Sequence, residues 1–401
     1  MSAPWLSLIG IGEDGLASLT PAARALIAKA TLVIGGARHL ELIGAHAGET
    51  MLWPSPLSAA MERIVARRGA PTVVLASGDP FFYGVGDILT RHVAPEEIAC
   101  FPALSAFALA AARLCWSQQD CSLLSLHGRA FERVTPHLQP GRRLLILSWD
   151  ATTPARLAAH LRAFGMPDSR IHVLEHMGGP KERVRSALAR DFALDDITAL
   201  NTIGVEVVAG ADARALPLTP GLPDDWFAHD GQITKRDIRA VTLSALAPRR
   251  GECLWDLGAG AGSIAIEWML ADPANRAVAV ERDAARAARI ARNAAALGVP
   301  DLEIVEGEAL QVLAKLASPD AIFIGGGAGA ELIDAAWRAL PESGRIVVNA
   351  VTIETQALLT ETFRANGGEL VEISIARARP IGGFHALEPA LPVLQWRAEK
   401  G

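Results

Sequence analysis

The sequence predicts an α/β protein of two units, the second a Rossmann-like domain built on a seven-stranded sheet, and three observations carry that prediction. Half of the 401 residues are hydrophobic, and short apolar runs alternate with alanine-rich helical stretches, as helices packed on parallel sheets require. The segment CLWDLGAGAGSIAIEW, residues 253–268, reads as a buried strand, a glycine turn and the start of a helix. Between residues 209 and 227 the alternation stops, and Pro217, Pro220 and Pro223 disfavour helix and deny donors to a sheet. A chain of this length holds two domains of about 200 residues, each large enough for its own core. The expected boundaries are therefore 1–210 for the first domain, 211–223 for a linker and 224–401 for the second domain.

In the first unit, WLSLIGIG is a strand, TPAARALIAKA a helix and TLVIGG a strand. TVVLASGD is a further strand, followed by a helix near GVGDILTRHV and the helical SAFALAAARL. After SLLSLHG a second set begins with RRLLILSWD, TPARLAAHLRAFG and RIHVLEHMGG. That order predicts two small α/β lobes with a cleft between them. Several strands end in turns that expose backbone. LIGIGEDG supplies Gly10 and Gly12, ASGDPFFYGVG supplies Gly78 and Asp79, and FPALSAF supplies Ser105 and Ala106. Each alone is ordinary turn chemistry. Their joint order makes them candidate cofactor contacts.

In the second unit LWDLGAG, AVAVE, LEIVEG, AIFIGGG, RIVVNAV, GELVEISIARA and PVLQW give seven strands. Bare amides and a helix N-terminus after the first of them suit a nucleotide-like ligand. Glu281 ends the second strand, 281 − 258 = 23 residues past Gly258, in place to accept hydrogen bonds from ribose hydroxyls. The spacing is G-x-G-x-G, not the dinucleotide G-x-G-x-x-G, and Asp256 precedes the turn. This favours S-adenosylmethionine and methyl transfer over a nicotinamide cofactor and hydride transfer. Asp256, Gly258, Ala259, Gly260, Ala261 and Gly262 are expected at the methionine portion, and Gly307, Glu308 and Ala309 beside the adenine. Gly325 to Gly327 either face substrate or pack tightly, and Asn349 ends the strand beyond them. In GQITKRDIRA, Thr234 is a candidate helix cap and cofactor cover. Arg236 and Arg239, with Lys235, form either a solvated basic face or an anchor for an anionic substrate. Arg377 and Arg379 of ARARPIGGFH carry the same pair of readings.

The net charge of −6 and the scattered lysines and arginines argue against nucleic acid as a partner. The N-terminus lacks a signal peptide's basic and apolar regions, and no run approaches ~18 apolar residues, so no membrane span is expected. Cys100, Cys115, Cys121 and Cys253 show neither C-x-x-C nor histidines at zinc spacing. They read as reduced packing residues of a cytoplasmic protein that holds no metal. A third reading, in which one unit is a non-catalytic carrier, is opposed by glycine turns in both halves.

LIGIGEDG, ASGDPFFYG, PALSAF and SLHG resemble the tetrapyrrole methylase family of corrin synthesis over roughly residues 4–210. GLPDDWFAHDGQITKRDIRA, LWDLGAGAGSIAIEW, AIFIGGG, VNAVTIET and PALPVLQW resemble the decarboxylating corrin methyltransferases over roughly residues 216–398. The resemblance implies a tetrapyrrole methylase fold followed by a Rossmann-like methyltransferase domain, each with its own S-adenosylmethionine site, in a homo-oligomer. It implies precorrin-6B as substrate and precorrin-8 as product in cobalamin synthesis. The first domain is then expected to methylate carbon 5. The second is expected to methylate carbon 15 and remove carbon dioxide from the acetate on carbon 12. Carried over residue by residue, the resemblance assigns Thr234, Gly258 to Gly262, Glu281 and Ala309 to the second cofactor. It assigns Gly78, Asp79, Ser105 and Ala106 to the first. One departure is Glu13, which stands where the first family often has proline. A substrate rich in carboxylates calls for arginine forks, for which Arg236, Arg239, Arg377 and Arg379 are the candidates, with Asn349 orienting the ring or its acetate.

Overall fold

A computed structural model describes residues 4–401; the first three residues of the expected first domain lie outside the described residues. The chain divides into two compact units, one of residues up to Arg129 with His137–Ala215, the other of Ala130–Pro136 with Leu216–Gly401.

The first unit holds two five-stranded sheets. One contains β1 (Leu6–Ile11), β2 (Leu32–Gly35), β3 (Glu49–Leu52), β4 (Thr72–Ser77) and β5 (Ile98–Phe101) in the order β3-β2-β4-β1-β5, all parallel. Strand β1 is buried along its whole length, which is why its sequence is almost continuously apolar. The other sheet contains β6 (Cys121–Ser125), β7 (Arg143–Leu147), β8 (Arg170–Glu175), β9 (Arg183–Leu188) and β10 (Asn201–Glu206). Its order is β6-β7-β10-β8-β9, with only β6 and β7 parallel. Two α/β lobes were expected here. Strands β3, β9 and β10 were not; β3 is short and mostly exposed, and β9 carries two arginines and a serine and no fully buried residue. The helix expected near GVGDILTRHV is the single turn Gly86–Leu89.

The second unit is built on β11 (Cys253–Leu257), β12 (Arg276–Glu281), β13 (Glu303–Glu306), β14 (Ala321–Ile324), β15 (Arg345–Ala350), β16 (Glu369–Ile373), a hairpin of β17 (Ala376–Ile381) and β18 (Phe384–Pro389), and β19 (Val393–Glu399). The main sheet runs β13-β12-β11-β14-β15-β19-β16, parallel as far as β15 and reversed at β19. The strand order turns back between β11 and β14, and open sheets bind ligands outside the carboxyl ends at such a point. Trp255, Trp268 and Trp396 are fully buried and fill the two faces of this sheet.

GELVEISIARA, expected as one strand, breaks after Ile373, and its end starts the hairpin. Gly382 and Gly383 form that hairpin's two-residue turn, with Gly382 at φ +57°, and both strands are exposed along their length. The expected linker is not a free tether, since Leu216 and Leu222 are buried in the second unit's core. Of the cysteines only Cys253 is buried, while Cys100 and Cys115 are exposed, which corrects their reading as packing residues. No cluster of metal-ligating side chains exists among the described residues. Among them no helix is long and apolar enough to cross a membrane.

Candidate functional site

A cavity of about 950 Å³ opens at the carboxyl ends of β11, β12, β14 and β15, large enough for a nucleoside-sized ligand with room beside it. The glycine turn forms its floor. Gly258, Gly260 and Gly262 all have positive φ, at +75°, +61° and +76°. A side chain on Gly258 would sit 2.6 Å from the Gly326 carbonyl oxygen, so this glycine lets the ends of β11 and β14 approach. A side chain on Gly262 would meet Ile290 at 2.7 Å, so this glycine serves helix packing instead. Glu281 Oε2 accepts from the Gly260 amide at 2.9 Å, and Oε1 accepts from the Asp283 amide at 3.1 Å. Each oxygen keeps a lone pair, so a buried carboxylate is held rigid at the cavity wall with acceptor capacity unused.

Of the residues singled out in the sequence, Thr234, Gly258, Ala259, Gly260, Glu281, Gly307, Glu308, Ala309, Asn349 and Arg377 line this cavity, and Gly325 to Gly327 join them. Gly307 takes φ +152° and donates its amide to the Glu281 carbonyl at 3.0 Å, which brings the end of β13 beside that of β12.

Six others do not line it. Ala261 and Gly262 point into the core under the turn. Asp256 is buried beneath the turn and accepts from the Ala265 amide at 3.1 Å, capping the following helix from below. Burial pushes its carboxyl from 3.8 to about 7, the Ala265 hydrogen bond opposing and the Glu281 charge assisting. Its other oxygen has no partner among the described residues. Arg239 is fully buried: it donates to Glu267 at 2.5 Å, to Asp224 at 3.1 Å and to the carbonyls of Thr234 and Leu222. Fully buried and with four of its five N–H donors held by the protein, Arg239 is not available to a substrate. Arg236 faces solvent at the first turn of the helix Arg236–Leu246, outside the cavity. Arg379 pairs with Glu388 at 3.1 Å across the exposed hairpin. Thr234 does not cap a helix, since the N-cap is Lys235 and no side chain bonds there; Arg239 holds the Thr234 carbonyl.

Two further cations face the cavity. Lys235, read from the sequence with Arg236 and Arg239 as part of a basic face or anchor, has no partner for its ammonium among the described residues. Arg286 also lines the cavity and reaches Asp230 at 3.0 Å. The signal for Lys235 was its place directly after Thr234. Arg377 lines the cavity with its guanidinium on Asp237, an exposed pair of low net worth that a competing carboxylate displaces cheaply.

In the first unit the strand ends also converge. A side chain on Gly10 would lie 1.8 Å from the Gly78 carbonyl oxygen and 2.5 Å from the Ala103 amide, so β1 meets the loops after β4 and β5 backbone to backbone. Gly78 has φ +60° and hydrogen-bonds to Ile11 and Ala103. Asp79 accepts from the Phe81 amide at 2.8 Å, and Ser105 caps the helix Ala106–Leu114 through the Ala108 amide at 3.1 Å. Gly12 lies in the β1 turn, where Gly15 donates to its carbonyl. Beside it Glu13 binds Arg38 and meets His176 Nδ1 at 2.8 Å. Burial works to raise the Glu13 carboxyl, but the His176 and Arg38 contacts outweigh it and hold the group below its ordinary value. Glu13 is therefore an ion-pair partner, tying the β1 turn to the residue that follows β8.

Comparison with known proteins bears on both units. Residues 6–193 match the model of the tetrapyrrole (corrin/porphyrin) methylases, and residues 225–400 match that of the precorrin methyltransferase domain. A Sinorhizobium protein named precorrin-6Y C(5,15)-methyltransferase (decarboxylating) is 53% identical over 99% of this chain and 97% of its own. A Mycobacterium tuberculosis protein of the same name is 40% identical over 98% of this chain and 99% of its own. A cobalt-precorrin-7 C(5)-methyltransferase of Salmonella typhimurium is 32% identical over 49% of this chain and 98% of its own.

Proposed function

The chain belongs to the precorrin-6Y C(5,15)-methyltransferase (decarboxylating) family, and on that premise we propose that it methylates precorrin-6B at carbons 5 and 15 and decarboxylates the acetate on carbon 12. The product is precorrin-8, in cobalamin synthesis. The first unit carries the carbon 5 reaction and the second unit the other two. A relative named for the C(5) reaction alone matches about half of this chain, which supports a division of the reactions between two units.

The observation that carries the reading is the second unit's cavity, where a glycine turn, the rigid Glu281 carboxylate, the unpaired Lys235 and the surface-paired Arg377 meet at the strand ends. The fit to S-adenosylmethionine rests on Glu281, whose oxygens are oriented by backbone amides and keep free lone pairs, as a ribose diol requires. When bound, this cofactor supplies a methyl group activated on a sulfonium. The protein's work is alignment and exclusion of water. Gly258, Ala259 and Gly260 offer close backbone approach, and Gly307 to Ala309 flank the adenine. Lys235 and Arg377 hold substrate carboxylates. The buried Val393 adds an apolar wall beside the acetate to be lost, with the exposed Val351 and Leu391 at the cavity rim. In the first unit, the joined turns at Gly10, Gly78 and Ser105 support a second cofactor site, giving two per chain.

The chain works as a cytoplasmic homo-oligomer. The exposed Ile381, Phe384 and Leu387 of the β17–β18 hairpin support self-association. Light scattering on the F384D variant is expected to show a smaller particle than the parent, and an unchanged mass would remove the hairpin from that role. The functional reading itself is tested with the full chain, precorrin-6B and S-adenosylmethionine, followed by mass spectrometry. Two methyl groups gained and one carbon dioxide lost per macrocycle are expected. A product with one added methyl and its acetate intact would overturn it.

A further inference from the structure

Behind the cavity lies a closed polar network that the reading above does not use. Asn349 and Gln395 are direct cross-strand partners on β15 and β19, and Thr242 of the helix Arg236–Leu246 lies against both. Gln395 and Thr242 are 0% exposed, and Asn349, 8% exposed, is the member that lines the cavity. Gln395 Nε2 donates to Asn349 Oδ1 at 2.9 Å and to Thr242 Oγ1 at 3.3 Å, and Asn349 Nδ2 donates to Thr242 Oγ1 at 3.0 Å. Gln395 Oε1 is buried without a partner among the described residues.

Three buried polar side chains cost stability unless satisfied, and apolar residues of the same shape would fill the space at least as well. The network's effect is on the sense of one amide. Both hydrogens of Gln395 Nε2 are used, and one of them occupies the Asn349 carbonyl oxygen. Turning the Asn349 amide over would set its NH₂ against the Gln395 NH₂. Turning both would leave the whole Gln395 NH₂ buried without acceptors, which is worse than one orphaned lone pair. The arrangement therefore fixes Asn349 with its carbonyl turned to the Gln395 NH₂ and one N–H unspent.

Resting on the functional reading above, we propose that Asn349 is a specificity-determining hydrogen-bond donor to a carboxylate of the macrocycle at the second unit's site, and that Gln395 is the positioning residue that sets it as a donor. An unspent N–H in a desolvated wall favours an anionic acceptor over a neutral or donating group.

The test is a double-mutant cycle in the full chain with precorrin-6B and S-adenosylmethionine, reading methylation at carbon 15, carbon dioxide release and methylation at carbon 5. N349A is expected to lower kcat/KM at carbon 15 by about ten- to a hundredfold through KM for the macrocycle, the worth of one hydrogen bond to a charged group. Q395L is expected to lower it about tenfold, with carbon 5 methylation unchanged. The double variant is expected to be no worse than N349A, because Gln395 acts through Asn349. T242V, run through the same cycle, gives the same non-additive pattern and serves if Q395L does not fold, which a lost thermal transition of the second unit would reveal. Wild-type kinetics in Q395L and T242V, or effects that multiply with N349A, overturn the proposal. If the parent enzyme itself does not methylate carbon 15, the functional reading falls and this inference with it.

Discussion

Replacing Glu281 by Gln separates the two proposed cofactor sites more cleanly than any other single change. The side chain keeps its length, and its two terminal atoms still sit against the amides of Gly260 and Asp283, 2.9 and 3.1 Å away in the parent. One of those atoms becomes an NH₂, so one amide donor loses its acceptor and one ribose hydroxyl loses a charged partner. A hydrogen bond to a charged group is worth about 1.5–3 kcal/mol. At about 1.4 kcal/mol per tenfold, the loss corresponds to a roughly ten- to hundredfold weaker hold on the cofactor. Initial rates at varied S-adenosylmethionine, with products resolved by methyl position, are expected to show that rise in KM at carbon 15 only. Carbon 5 methylation draws on the other unit and keeps its parent KM. A carbon 15 KM within twofold of the parent, or an equal rise at both carbons, would refute the assignment of Glu281.

Asp256 predicts a pH dependence. Its carboxyl is raised, so the folded chain holds the proton up to about pH 7, whereas the unfolded chain releases it near the ordinary value of 3.8. Stability from this group is therefore full below pH 4, falls as pH rises from 4 to 7 and stays lost above, by on the order of 4 kcal/mol. D256N keeps an acceptor for Ala265 without the charge, so its melting temperature should overtake the parent's between pH 5 and pH 8; a gap that does not change with pH contradicts the burial argument. R239M leaves Glu267 as an uncompensated buried charge and should cost about 3–5 kcal/mol in denaturant titration. A fully stable R239M with a raised KM for the macrocycle would restore Arg239 as an anchor. K235A and R377A should each raise KM for the macrocycle several-fold without changing S-adenosylmethionine affinity, and unchanged KM in both would remove them as carboxylate anchors.

The parts of this molecule that were readable in the sequence are those where one residue type has one physical use. Gly258 and Gly78 need positive φ beside neighbouring backbone, and the central strands of the second sheet, buried on both faces, are continuous apolar runs. The β17–β18 hairpin was half legible, since a glycine pair between alternating residues is a hairpin signal, yet its first strand was read as a continuation of β16. Arg239 shows the opposite failure. It stands four residues before Leu243 and seven before Leu246, both buried, so the helical period already put it on the core face. Its charge drew the reading toward substrate, while its partners Glu267 and Asp224 are distant in sequence and gave no local sign. Gln395 was silent for the same reason: its pairing with Asn349 exists only through the register of β15 with β19.

Isothermal titration of the full chain with S-adenosylmethionine puts the central claim, one cofactor pocket per unit, to the most direct trial. Two equivalents bound per polypeptide are expected, falling to one tight equivalent in the Glu281→Gln variant. A parent enzyme that takes up a single equivalent, or none, would contradict the account.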